Sequence, residues 1–157
     1  MLYSVLKLVH LLSIIVWVGG MVFAHFFLRP AVAATLESPA GRIRLMDAVL
    51  QRFFTAVSVS VVLVVGSGVW MIGHMARMAA QTGGRFSMPL SWTIMATLGL
   101  VMAAIFGHIR LALFKRLHQA TLASDWPKAG KALASIRTWV GINLAIGVIT
   151  MAVALLV

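Results

Sequence analysis

Long runs of apolar residues, separated by polar segments, set the pattern of this chain. Four runs are present, at about residues 5–28, 53–75, 90–114 and 138–157. Each holds about 20 residues or more, which is enough for an α-helix to cross roughly 30 Å of hydrocarbon. A transmembrane β-barrel would need alternating polarity and more segments. The pattern therefore predicts an all-α membrane protein, a four-transmembrane-helix bundle in which residues 1–157 form a single integral membrane domain.

The polar segments at residues 29–52 and 115–137 also carry signals for helix starts. Ser38 precedes a proline, which is the pattern of an N-cap followed by the first helical residue. Asp125 precedes a Trp-Pro pair in a similar arrangement ahead of the fourth apolar run. We expect these two segments, interpreted as cytoplasmic loops, to be partly helical.

Lysine and arginine are distributed unevenly between the two ends of the predicted bundle. Ten of them flank the first and third polar segments, and three lie on the opposite side. The three are Lys7, Arg77 and Arg85. The positive-inside rule then predicts that the first and third segments are cytoplasmic and that both termini are periplasmic, in the inner membrane of a bacterium. The net charge of +10 is explained by basic helix ends meeting anionic lipid, so no nucleic-acid partner is predicted.

Composition narrows the chemistry that the bundle can perform. Hydrophobic residues make up 62% of the chain and charged residues 10%, against about 25% charged residues in a soluble domain. The three acidic residues, Glu37, Asp47 and Asp125, all fall in polar segments, which leaves no membrane carboxylate to relay protons. The absence of cysteine excludes disulfides and thiolate metal sites. No hydrolytic or ATPase motif is visible. Two kinds of activity remain as hypotheses: redox chemistry on a bound cofactor, and the movement of a soft metal.

Histidines supply the first candidate site. Four of the five lie inside or at the ends of apolar runs, where an ionisable residue is a functional-site hypothesis. His10 and His74 would form an outer pair, and His25 and His108 an inner pair. Facing histidines in a helix bundle are typical axial ligands of haem b, so these four are candidate cofactor ligands and electron-transfer residues. The alternative is that each ring bonds a carbonyl, a hydroxyl or a headgroup; His118, in the third polar segment, is assigned no role.

A methionine stripe supplies the second candidate site. Met71, His74, Met75 and Met78 stand at i, i+3, i+4 and i+7, which places them along one side of a helix near its outer end. Thioether and imidazole ligands suit Cu+, so Met71, His74 and Met75 are predicted to bind copper. The alternative is that these methionines fill irregular helix contacts.

Motifs in the first and fourth runs resemble a known family. They are Leu8-Val9-His10-Leu11-Leu12, Trp17-Val18-Gly19-Gly20, Ala24-His25-Phe26, Leu28-Arg29-Pro30, Asp125-Trp126-Pro127, Ile136-Arg137 and Val140-Gly141-Ile142-Asn143-Leu144. The chain resembles the small four-helix type of the copper resistance protein D (CopD) family. More distantly it is similar to the HemJ-type haem-binding membrane proteins, although it lacks their Leu-Pro-Arg pattern. The resemblance implies an inner-membrane protein of copper uptake or tolerance, with His10, His25 and His108 as functional residues.

Three functional hypotheses follow. The first is a copper-handling membrane protein in which Met71, His74 and Met75 form an outer site, His10 is a deeper ligand, and a periplasmic protein donates the copper. The second is a b-type haem protein, which as an enzyme would be a haem-dependent oxidoreductase. The third is an accessory subunit that joins a homo-oligomer or a larger complex in the lipid bilayer.

Overall fold

Four long helices account for most of the chain in the computed structural model, which describes residues 1–156. They are α1 (Leu2–Thr35), α2 (Pro39–Gln81), α3 (Leu90–Leu122) and α4 (Trp126–Leu156). Each contains an apolar stretch long enough to cross a membrane, which confirms the predicted all-α four-helix architecture. The last position of the predicted fourth span, residue 157, lies outside the described residues.

The helices extend well beyond the apolar runs at one end of the bundle. Only residues 36–38 and 123–125 lie outside helices there, so the two predicted loop segments are largely helical. Ser38 caps α2, because its side-chain oxygen accepts a hydrogen bond from the Gly41 N–H at 3.3 Å. Asp125 likewise accepts from the Lys128 N–H at 3.1 Å at the start of α4. We call this the basic end, and the opposite end, with Met1, Leu156 and the link at residues 82–89, the terminal end.

Three π-helical turns interrupt the regular winding of α1 and α3. They cover Ile15–Gly19 and Ala24–Leu28 in α1 and Ile109–Leu113 in α3. His25 lies inside the second of these turns, and His108 immediately precedes the third. Single π turns inside α-helices occur frequently at functional sites, and both basic-end membrane histidines lie beside one.

Aromatic rings fill the centre of the bundle. The Phe54 ring of α2 lies 5.9 Å from Phe106 and 5.4 Å from Phe114, both on α3. Trp17 of α1 packs edge-on against Phe106 at 6.1 Å. Because lipid tails are as apolar as these side chains, tight van der Waals packing of this kind holds membrane helices together. The same packing fills the interior among the first three helices around Trp17, Phe54 and Phe106.

Candidate functional site

His10 joins α1 to α2 through a side-chain hydrogen bond at the terminal end. Its Nδ1 lies 2.8 Å from the Ser67 hydroxyl oxygen. That hydroxyl also lies within hydrogen-bond distance of the Leu63 and Val64 carbonyls, which favours an arrangement in which it donates to its own helix and accepts from His10. In that arrangement a neutral His10 carries its proton on Nδ1 and a lone pair on Nε2. A histidine held in this way is in the form that binds metals.

His74 lies nearer the terminal end of α2. Its ring stacks on the Trp70 indole, with centroids 5.0 Å apart and planes 7° from parallel, and the Tyr3 ring of α1 lies 6.0 Å away. Neither ring nitrogen of His74 forms a hydrogen bond within the described part of the chain. The stack fixes the ring plane and leaves the nitrogens at its edge.

A single line along α2 connects these two histidines. Ser67, Met71 and His74 are spaced at i, i+4 and i+7, so they share one face of the helix. This face meets α1 at Tyr3 and His10, and we call the contact the α1–α2 seam. His74 lies about 10 Å along the axis from Ser67, with Met71 between them. The structure thus places the predicted outer pair on one seam, about two turns apart rather than face to face.

The methionines of the stripe lie at different depths. Met71 is half-buried, whereas the side chains of Met75 and Met78 are 37% and 50% exposed. Met75 follows His74 directly and lies one turn from Met71. Met71 and Met75 are therefore the thioethers nearest to His74 in the sequence of α2, and thioether and imidazole are ligand types that suit Cu+.

The basic-end histidines lie on opposite sides of α4. A Cβ atom built at Gly141 would lie 3.6 Å from Cε1 of His25, which is half-buried. His108 is exposed and packs on Trp139, with ring centroids 5.4 Å apart. Positions 139 and 141 are about 200° apart around a helix, so α4 separates the two imidazoles although they lie at similar depth. The structure does not bring His25 and His108 together.

The positions of these four histidines can be compared with what binding of haem b requires. Two histidines that share one iron must face each other across it. Neither the pair of His10 and His74 nor the pair of His25 and His108 has that arrangement. Haem b is a prediction that this geometry does not support.

An ion pair at the basic end was not predicted from the sequence. Asp47 is 7% exposed, and its Oδ2 lies 2.9 Å from Nδ1 of His118, the histidine to which no role was assigned. The Asp47 Oδ1 is buried without a hydrogen-bond partner among the described residues. The signal was present, since Ile43, Asp47, Leu50 and Phe54 form a helical stripe that places the carboxylate on the buried face.

Taken together, four helices that are long and apolar enough to cross a membrane define a multi-pass membrane protein, and histidine and methionine side chains lie along its second helix at the terminal end. A comparison with family models then identifies the group. The model of copper resistance protein D matches residues 47–157, which is more than half of the chain, and the chain belongs to this family. It is accordingly a multi-pass inner-membrane protein related to copper resistance.

The match covers the fourth-helix motif but not the first 46 residues, where His10 and His25 lie. No curated protein and no solved structure matches the chain. The distant resemblance to the HemJ type stays a prediction.

Proposed function

We propose that the protein handles copper by accepting Cu+ at the terminal end of the α1–α2 seam, through Met71, His74 and Met75. The observation that carries this proposal is the environment of the His74 imidazole ring. Its ring is oriented by Trp70, its nitrogens are free of hydrogen bonds to the described residues, and thioethers flank it along α2. Membership of the copper resistance protein D family supports copper as the cargo.

The position of this site at the end of the bundle suits transient binding of Cu+. Imidazole and thioether ligands are neutral, so a bound Cu+ keeps its positive charge. An uncompensated charge is costly in the membrane interior. The half-exposed end of the seam is therefore a better place for the ion than the aromatic centre of the bundle. Neutral ligands also release a soft cation more readily than thiolates do.

His10 is the next ligand in this proposal. Its Nε2 lone pair is left free by the hydrogen bond from Nδ1 to Ser67, and it lies about one turn deeper than Met71. Exchange of one ligand for the next along Met71 would move Cu+ from the His74 level toward His10. We place the terminal end in the periplasm, from the charge asymmetry of the loops, so that a periplasmic donor supplies the ion.

A competition titration tests the outer site. The protein in mild detergent is titrated with Cu+ in the presence of a chromophoric Cu+ chelator. The absorbance of the Cu+–chelator complex gives the copper held by the chelator, and the remainder is the copper bound to the protein. Met71→Leu combined with Met75→Leu removes two sulfur ligands while keeping the side-chain volume close. We expect Cu+ affinity to fall about tenfold or more, which corresponds to about 1.4 kcal/mol.

The matched control is Met95→Leu with Met151→Leu, which removes two thioethers from α3 and α4, outside the seam. This variant should bind Cu+ as the unchanged protein does. Equal affinity in all three proteins, or an equal loss in both double variants, would contradict the proposed site.

A further inference from the structure

A cavity of about 240 Å³ opens at the basic end between α1, α2 and α4. Its polar lining comes from His25 and Arg29 of α1 and from Arg137 of α4. The remaining wall is mostly apolar and includes Met46 and Leu50 of α2. The cavity therefore combines cationic side chains from two helices with a hydrocarbon surface.

The two arginines of this cavity have no acidic partner. Within residues 1–156 the one ion pair joins Asp47 to His118, and no carboxylate lines the cavity. Arg29 and Arg137 are exposed side chains that line one opening, so their like charges lie together there without a compensating carboxylate. An anion bound between Arg29 and Arg137 would compensate both charges. Guanidinium groups match phosphate oxygens with two parallel hydrogen bonds each.

The depth of the cavity identifies the source of the anion. Arg29 directly follows the first apolar run, at the level where a membrane helix reaches the headgroups. A second cavity of about 380 Å³ shares Ala24 and Leu50 with the first. Phe23 and Phe53 form part of its mostly apolar wall, and Arg52 is the charged residue of its lining. The basic recess at headgroup depth thus adjoins a recess that is mostly apolar.

We infer that this is a binding site for an anionic phospholipid, with the phosphate between Arg29 and Arg137 and an acyl chain in the adjoining, mostly apolar cavity. Basic recesses between membrane helices bind anionic headgroups in this way. The lipid would join α1 to α4 at the basic end. The site is separate from the copper seam, so it does not depend on the proposed copper function.

Thermal unfolding of the delipidated protein tests this inference. Phosphatidylglycerol, phosphatidylcholine and inorganic phosphate are added separately to the protein in mild detergent. We expect phosphatidylglycerol to raise the unfolding midpoint, whereas phosphatidylcholine and phosphate leave it unchanged. In Arg29→Gln with Arg137→Gln the rise should disappear, and binding of phosphatidylglycerol measured by native mass spectrometry should weaken about thirtyfold, the effect of two basic residues.

A charge-matched control separates the cavity from general attraction to the basic end. Lys115→Gln with Arg116→Gln removes two exposed positive charges from α3, outside the cavity, and should keep the rise. Arg29→Lys with Arg137→Lys keeps the charge but loses the planar donor fork, so it should show an intermediate rise, and it serves if the glutamine variant fails to fold. Equal losses in the control and the cavity variant, or equal stabilisation by inorganic phosphate, would overturn the lipid site.

Discussion

Two neighbouring glycines of α1 differ sharply in what surrounds them. A Cβ atom added at Gly20 would lie 2.2 Å from Cε2 and 2.9 Å from Cζ of Phe53, the aromatic ring that α2 packs there. The ring is rigid, so either the ring or the helix must shift. We expect Gly20→Ala to destabilise the protein by about 1–3 kcal/mol, the usual effect of overpacking, as measured by unfolding in detergent.

Gly19→Ala is the matched control for this substitution. A Cβ atom at Gly19 meets nothing within 4 Å, and alanine favours a helix over glycine by about 1 kcal/mol. Gly19→Ala should therefore be neutral or stabilising. If both variants unfold at the same temperature, the close contact between α1 and Phe53 is not present in the membrane protein.

At the scale of single residues, the sequence predicted which side chains share a face but not what they contact. The spacing of Met71 and His74 is a local property of one helix, and in the structure His74 of that face lies beside Tyr3 of α1. The partner of His10 proved to be Ser67, which no spacing within α1 indicates. Helix rotation and register are set by the neighbouring helices, so contacts between spans could not be predicted.

At the scale of elements, the ion pair between Asp47 and His118 connects the parts of α2 and α3 that extend beyond the apolar runs. The His118 side chain is 38% exposed, so solvent screens part of the attraction. We expect a double-mutant cycle of Asp47→Ala and His118→Ala to give a favourable coupling of about 1 kcal/mol. The measurement is equilibrium unfolding of the four proteins, and the coupling should shrink at high salt.

A second cycle, of Glu37→Ala and His118→Ala, is the control for that coupling. Glu37 is an exposed carboxylate in the link between α1 and α2, and it forms no ion pair within the described residues. Its substitution should be additive with that of His118, within about 0.5 kcal/mol. Coupling of equal size in both cycles would mean that general electrostatics, rather than this contact, joins the two helix extensions.

The lengths of the helices were only partly predictable. Apolar runs mark the spans because hydrocarbon excludes charged side chains, and the caps at Ser38 and Asp125 correctly indicated helical extensions. The π turns beside His25 and His108 were not predicted. A π turn reflects how a helix fits its neighbours, and residues that form it are ordinary helix formers in sequence.

The whole molecule has two chemically different ends. His10, Met71, His74 and Met75 lie toward the terminal end, and ten of the thirteen Lys and Arg residues lie toward the basic end. Along α1, His10 and Arg29 are separated by about 28 Å. This separation keeps the proposed Cu+ site away from the ten basic side chains of the basic end, whose charge would oppose binding of a cation, and leaves Arg77 and Lys7 as the basic residues near it in sequence. The same asymmetry predicts how the bundle is oriented in the bilayer.

We expect the basic end to face the cytoplasm, because translocating ten positively charged side chains is disfavoured during insertion. The chain has no cysteine, so single cysteines can be introduced without background. Ser4→Cys and Ser87→Cys mark the terminal end, and Ala34→Cys and Ala123→Cys mark the basic end, all at exposed positions. A membrane-impermeant maleimide applied to spheroplasts should label the first two, and label the other two only after the membrane is permeabilised.

Labelling in the reverse pattern would put Met71, His74 and Met75 on the cytoplasmic side. The seam would then receive copper from inside the cell, and a periplasmic donor could not be its source.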